Sequence, residues 1–423
     1  MPVVFFPELT GAIKFWYILI VGKIESKGRG ILEFLGLKKD IMLLLGMVVL
    51  IGMGERIGSR YIPKYIAELG AGAILIGVYG ALENLLGALW AFPGGILSDK
   101  LGTKRALLIF NIIAMIGYLI VVLIPSWPAV MVAAIFFMAW SSLSMPATMS
   151  MVGDLLPRSK RAMGVSMHSI IRRIPMGGGP VIGGILIGAF GLIDGVRIAF
   201  AVAFVLAIFS LVMQQRMAPN KIKKYEPLHL FKLVKQFNPG LKRLLVSDIL
   251  IRFCEQIPYA FAVIWVMDIA QKGALEFGWL TAVEMGTAML LYIPVAYFSD
   301  KAERKPFVLV TFMFFTLFPV ALFFAKSTGM LAFAFFVRGL KEFGEPTRKA
   351  LIVDLAVPNA KARTVGSYYF IRDTVVSLAA LLGGFLWKIS PSLNLWTAFG
   401  FGVLATLYFG LFGKGTETGN QSG

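Results

Sequence analysis

Apolar runs long enough to cross a bilayer follow one another along almost the whole chain, separated by short polar breaks. A helix needs about 18–20 apolar residues to span roughly 30 Å of hydrocarbon. Such runs lie near residues 40–66, 73–97, 105–125, 128–153, 164–190 and 196–215. A polar interruption at 216–242 follows, and then six more runs near 243–267, 275–298, 306–325, 329–354, 364–388 and 394–412. The strict two-residue alternation of a transmembrane barrel is missing. The pattern therefore predicts an all-α polytopic membrane protein with twelve transmembrane helices. Residues 1–39 read as a cytoplasmic N-terminal segment with an interfacial helix at Ala12–Val21, because Lys14 and the basic residues after it give no signal-peptide cleavage site. Residues 413–423, rich in Gly, Ser and Thr, read as a disordered tail.

Composition points the same way. The chain is 58% hydrophobic and 15% charged, with a mean hydropathy of +0.79. A soluble domain carries roughly a quarter charged residues. The net charge of +18 is explained by placement, since most Lys and Arg fall in segments on one side of the expected membrane. This positive-inside asymmetry puts both termini and the 216–242 linker in the cytoplasm and argues against a nucleic-acid partner. The expected location is a prokaryotic inner (plasma) membrane, with lipid and a small-molecule substrate as partners and a monomeric state. The single cysteine, Cys254, and the two histidines, His168 and His229, leave little for a metal site, so no metal or other cofactor is expected.

The two series of spans match at an offset of 200 to 202 residues. Glu55 pairs with Glu255, Gly77 with Gly278, Glu83 with Glu284, Arg172 with Arg372, and Gly183-Gly184 with Gly383-Gly384. The Ser98-Asp99-Lys100 run pairs with Ser299-Asp300-Lys301. With only 23 acidic residues in 423, so many coincidences at one offset indicate an internal duplication. The expected domains are an N-terminal six-helix bundle at 40–215 and a C-terminal one at 243–412, pseudo-symmetric and joined by the basic 216–242 linker.

Between the second and third runs the chain reads Gly95-Ile96-Leu97-Ser98-Asp99-Lys100-Leu101-Gly102-Thr103-Lys104-Arg105. This resembles the signature loop of the major facilitator superfamily, and the degraded copy at Ser299–Pro306 stands where that family carries its second loop. With the duplication and the basic linker, the resemblance covers about residues 40–412. It implies a gating loop built on Gly95, Asp99, Gly102, Lys104 and Arg105, with Asp300 in the second copy. It also implies that Asp99 caps the start of the eleventh span near Thr364. The Gly177–Gly184 stretch resembles the core of that family's antiporter motif, but Pro175 and Ser166 stand where the motif has glycines. Close helix packing is the other reading of those small residues.

Charges within the spans are the sharpest chemical signal, because each costs roughly 2.5–3.5 kcal/mol at mid-membrane without a partner. Helical spacing suggests Arg338–Glu342, Lys341–Glu345 and Asp248–Arg252 as i,i+4 pairs, and Arg252–Glu255 and Glu345–Arg348 as i,i+3 pairs. Glu83 and Glu284 have no basic neighbour on their own helices. Either they carry protons, or they pair across helices with Arg172 or Arg372. The proton-coupling candidates are Glu83, Glu284, Glu55, Glu255, Glu342 and Glu345. The substrate-cavity candidates are Arg56, Arg60, Trp140, Arg172, Arg252, Arg338, Phe343 and Arg372. No phosphate-binding Gly-x-x-x-x-Gly-Lys-Ser/Thr motif occurs, so the expected energy source is an H⁺ gradient, with Na⁺ as the alternative. The leading expectation is a proton-coupled secondary active transporter resembling the drug:H⁺ antiporters, an alternating-access exporter (efflux) of small amphipathic molecules. A symporter or exchanger of an anionic organic solute is the alternative. A membrane receptor or lipid-processing protein on a transporter scaffold is the reading from another class. No constellation of catalytic side chains points to an enzyme.

Overall fold

The structure, a computed structural model, describes residues 39–138, 140, 161–216, 235–299, 303–357 and 361–413. Among them the chain is nearly all helical. The first half contains α1 (Lys39–Ser59), α2 (Ile62–Glu68), α3 (Ala73–Leu101), α4 (Thr103–Leu123), α5 (Trp127–Phe137), α6 (Arg161–Phe190) and α7 (Leu192–Gln215). The second half contains α8 (Pro239–Tyr259), α9 (Ala262–Ile264) running into a π turn (Trp265–Ile269), α10 (Ala274–Ser299), α11 (Arg304–Phe324), α12 (Thr328–Leu340), α13 (Glu345–Asp354), α14 (Lys361–Ile389) and α15 (Pro391–Phe412).

Seven helices among the described residues are long and apolar enough to cross a membrane, or eight if α8 and the bent segment after it form one span. The outward faces are apolar: Leu123, Leu290, Ile389 and Leu411 are each more than two-thirds exposed. Water would not tolerate so much exposed apolar surface, whereas lipid requires it. The chain is an integral membrane protein.

Three of the expected continuous spans are broken, each for a local reason. The first breaks at Arg60-Tyr61, just before α2, which has Pro63 in its first turn. The seventh bends by 42° between α8 and the following segment, next to Pro258 at the end of α8. In the tenth, α12 stops at Leu340 and α13 starts at Glu345 with Pro346 in its first turn. Proline lacks the N–H that would continue a helix, so it is tolerated where a new helix begins. The breaks at 60–61 and 260–261 are themselves related by the 200-residue offset.

The duplication is also visible in the packing. A methyl group on Gly183 would strike the Ile57 carbonyl oxygen, and one on Gly383 would strike the Ile257 carbonyl oxygen. The next glycine of each pair faces the opposite half. A methyl group on Gly184 would lie 2.7 Å from the Ala274 carbonyl oxygen, and one on Gly384 would lie 2.8 Å from that of Ala73. The same double crossing is thus made twice, with α6 against α1 and α10, and α14 against α8 and α3. Asn394 reinforces the second copy by donating to the Ile257 and Gly383 carbonyls at 3.1 and 2.9 Å. The glycines of the Gly177–Gly184 stretch serve as contact points. Gly177 meets Met285, Gly179 meets Arg56, and Gly183 and Gly184 make the crossings just described.

These crossings leave no room for a side chain. Gly183→Ala and Gly383→Ala should each cost about 1–3 kcal/mol through overpacking and lower the melting temperature of the detergent-purified protein. At Gly188 a methyl group would meet nothing, so Gly188→Ala should be neutral or slightly stabilising. Equal melting temperatures for all three variants would refute the double crossing.

Candidate functional site between the two halves

A pocket lies where the breaks of the first and seventh spans meet, with about 400 Å³ of non-atom space when its open mouth is counted. From the first half it is lined by Arg56 and Ser59 on α1, Arg60 in the break, Pro63 on α2, and Tyr79 and Glu83 on α3. From the second half it is lined by Tyr259 and Ala260 at the α8 break, Ala262 and Val263 on α9, Phe277 on α10 and Arg338 on α12. Three of these side chains are cationic and one is anionic. Two of the lining residues follow from helical spacing. Tyr79 precedes Glu83 by four residues and Tyr259 follows Glu255 by four, so each shares a face with a carboxylate.

Glu83 faces this pocket with no ion pair inside 4 Å and no hydrogen bond among the described residues, although the Arg56 and Arg60 charges act on it from across the pocket. Glu284, its repeat partner, is in the opposite situation. It is fully buried, with Lys341 Nζ at 3.2 Å, Arg338 Nε at 3.3 Å and Arg60 Nη2 at 3.8 Å. Neither of its oxygens accepts a hydrogen bond of regular geometry, so charge rather than directional bonding holds the cluster. Glu284 thus pairs across helices, as the alternative reading had it, but the expected partner Arg372 is corrected to Lys341, Arg338 and Arg60. Its partners come from the first and tenth spans, whose positions only the tertiary fold brings together. Arg372 instead meets Asp248 at 3.4 Å and Asp373 at 2.7 Å, beneath the Tyr369 ring.

From Glu284 a line of alternating charges runs through the second half. Lys341 bonds Glu255 at 2.8 Å, and Glu255 bonds Arg252 at 2.5 Å. Arg252 reaches Glu345 at 3.6 Å, and Glu345 grips Arg348 at 2.6 Å. Arg348 then pairs with Asp248, which also accepts from the Tyr368 hydroxyl at 3.1 Å. The expected i,i+3 pairs Arg252–Glu255 and Glu345–Arg348 are present. The expected i,i+4 pairs Arg338–Glu342 and Lys341–Glu345 are not, because the break at 341–344 removes the helical register between their members. Asp248–Arg252 is also replaced, since Asp248 pairs with Arg348 on α13 and Arg252 with Glu255 on its own helix. Glu342, freed from Arg338, bonds Arg173 on α6 at 2.8 Å and ties the halves together. The signal for Arg173 and Arg348 was their position as charges inside spans.

The remaining candidates lie away from the pocket or outside the described residues. Glu55 sits beside Arg56 at 3.7 Å, and Arg172 is close enough to both to interact electrostatically. Trp140 is buried in the core of the first half. Phe343 stacks on Phe307 of α11, with centroids 5.8 Å apart. In the proposed gating loop, Gly102 joins α3 to α4 with φ +80°, a conformation that favours glycine. Lys104 Nζ donates to the Gln215 carbonyl at 2.7 Å, and Gln214 donates back to the Lys104 carbonyl at 2.7 Å. The lysine thereby caps the end of α7. Arg105 is exposed and Thr364 is buried. The surroundings of Gly95, the side chain of Asp99 and all of Asp300 lie outside the described residues. No group of three or more His, Cys, Asp or Glu side chains placed to hold a metal occurs among the described residues.

Known proteins share this architecture. The chain is similar to an uncharacterized MFS-type transporter of Methanocaldococcus jannaschii, 20% identical over 367 residues, covering 85% of this chain and 91% of that protein. Among solved structures it resembles the nucleoside transporter NupG, with a TM-score of 0.73 and 13% identity, covering 88% of this chain and all of the other. It also resembles a POT peptide transporter in complex with sulfate, with a TM-score of 0.72 and 15% identity, covering 87% of this chain and 93% of the other. At these identities the structural likeness speaks for the fold. The sequence profile of the Major Facilitator Superfamily matches residues 44–254 and again 244–422. Two matching halves, fused by duplication around one pocket, make this chain a member of the Major Facilitator Superfamily and a membrane transporter of that type.

Proposed function

We propose that this transporter works by alternating access and carries a small organic anion, with proton movement on Glu83 as its energy coupling. The observation that carries the reading is the pocket lining of three arginines against a single glutamate. An efflux site for amphipathic cations would need the opposite sign. The Ser59 hydroxyl, buried and without a partner among the described residues, adds a neutral donor. Tyr79, Tyr259 and Phe277 supply apolar surface for the body of an organic solute. The structural relatives are named for nucleosides and peptides, so the fold leaves the cargo open and the side chains must decide it.

The two repeated glutamates take different roles in this proposal. Glu284 remains an ionised counter-ion, because a buried carboxylate among three cations gains more from its charge than desolvation costs. Glu83 borders open space and can exchange a proton with whatever fills the pocket. Its protonation removes the one negative charge from the lining and so favours entry of an anion. Twelve spans in two six-helix bundles, both termini on the cytoplasmic face of a prokaryotic plasma membrane and a monomeric carrier complete the reading, supported by the duplication and the Lys/Arg asymmetry.

In liposomes, Glu83→Gln should abolish anion accumulation driven by an imposed pH difference while sparing exchange without a gradient. Accumulation at the wild-type rate would move coupling elsewhere, and accumulation driven only by a Na⁺ gradient would replace H⁺ with Na⁺. Glu255→Gln leaves Lys341 and Arg252 without their shared carboxylate. It should destabilise the protein by about 3–5 kcal/mol, as broken buried pairs do, which a melting curve reports; an unchanged melting temperature contradicts the structural role. Orientation is checked by placing single cysteines at Lys223 and Ser327 in a Cys254→Ser background. An impermeant thiol reagent added to intact cells should reach only Ser327→Cys, and labelling at Lys223→Cys would invert the topology.

A further inference from the structure

We propose that Tyr259 is the positioning residue of the pocket, its ring holding Arg60 and Arg338 as two arms that grip the acidic group of the cargo, a carboxylate or a phosphate-type oxyanion. The inference rests on the anion reading above and deepens it. The guanidinium carbon of Arg60 lies 4.9 Å from the Tyr259 ring centroid and that of Arg338 lies 5.2 Å from it. Two permanently charged groups gathered at one ring repel each other, and the negative face of the ring offsets part of that repulsion. Glu284 adds a carboxylate that both share, reached through Nη2 of Arg60 and Nε of Arg338. Each guanidinium carries five N–H donors in a rigid fork. Donors beyond those atoms are available to a planar, two-oxygen acidic group, which such a fork matches bidentately.

The arrangement depends on both halves. Arg60 comes from the break in the first span, while Tyr259 and Arg338 come from the second half. The arms meet at one ring while the neighbouring ends of the halves are held together. Lys64 does this through Asp268 at 2.8 Å, and the Tyr61 hydroxyl lies between the Pro180 and Ala274 carbonyl oxygens, at 2.6 and 2.8 Å, sharing its one proton across the two halves. The two arms differ in their support. Arg338 also lies over Phe318 and Phe335, at 4.8 and 5.7 Å, whereas Tyr259 is the one ring against Arg60 among the described residues, its other contact being the longer Glu284 pair at 3.8 Å. Loss of the ring therefore releases Arg60 first, and the cargo loses its grip from the first half.

The test uses the full chain in nanodiscs and isothermal titration with benzoate, phenyl phosphate and sulfate, with benzyl alcohol as the uncharged control. Wild type should bind at least one of the anions and not the alcohol. Benzoate binding identifies a carboxylate site, and binding of phenyl phosphate or sulfate alone identifies a tetrahedral-oxyanion site. Tyr259→Phe, which keeps the ring, should bind within about twofold of wild type, and Tyr259→Leu should bind about tenfold more weakly. In transport the Leu variant should show a raised KM with kcat unchanged, a split that a general packing defect would not produce. If Tyr259→Leu does not fold, Tyr259→Met and Tyr259→Trp replace it, with binding weakened in the first and kept in the second. Wild-type affinity in the Leu or Met variant, alongside lost binding in Arg60→Gln and Arg338→Gln, would overturn the role of Tyr259 and leave the anion reading standing. Failure of wild type to bind any of the anions would overturn both.

Discussion

A charge inside a bilayer must be answered by another charge, and Glu284 shows how far that requirement organises this protein. Its helix, α10, offers no basic neighbour, and its carboxylate is fully buried. Removing a carboxylate from water costs several kcal/mol even after the protein relaxes, so an isolated one would not remain ionised. Lys341, Arg338 and Arg60 converge on it from two other spans. Each of those cations then needs further balance, and the line continues through Glu255, Arg252, Glu345, Arg348 and Asp248 to Arg372 and Asp373. Alternation of sign keeps every link neutralised by its neighbours. It also fixes the mutual positions of α8, α10, α12, α13 and α14.

The first half has no counterpart to this line among the described residues, and the asymmetry is where function enters a duplicated scaffold. Glu83 and Glu284 occupy equivalent positions, yet the former borders open space and the latter is enclosed by cations. Both arms of the pseudo-symmetric structure break at equivalent positions, 60–61 and 260–261, and both breaks open onto the pocket. At the first break stands Arg60, and at the second the aromatic ring of Tyr259 lies beneath it. Duplication supplied two similar half-pockets, and divergence gave one of them the charge and the other the ring.

Close packing makes such a site transmissible. The double crossings of Gly183-Gly184 and Gly383-Gly384 bring backbone to backbone across both interfaces, where cores are too dense to deform gradually. The halves are joined by packed small residues and by a few ion pairs, Lys64–Asp268, Arg173–Glu342 and Arg60–Glu284. Arg60, which lines the pocket, belongs to one of these pairs, so events there act directly on a contact that holds the halves together.

The amino-acid sequence alone determined the membrane class, the repeat, the approximate extent of the apolar runs and the family resemblance, but not the breaks inside three of those runs. These depend on local hydrophobicity, on prolines and glycines, and on a repeat readable at a fixed offset. It also determined which residues are buried charges, and the i,i+3 pairs Arg252–Glu255 and Glu345–Arg348, whose geometry a single helix dictates. The partners of Glu284, Glu342 and Asp248 were decided only by the tertiary structure. The helix break at 341–344 cancels the register that spacing implies, and the replacing cations arrive from spans remote in sequence. The separation of Trp140 and Phe343 from the pocket, and the meeting of Arg60 with Tyr259, were decided there as well. Which faces of twelve similar apolar runs turn toward one another is a property of how they pack, and hydropathy does not encode it.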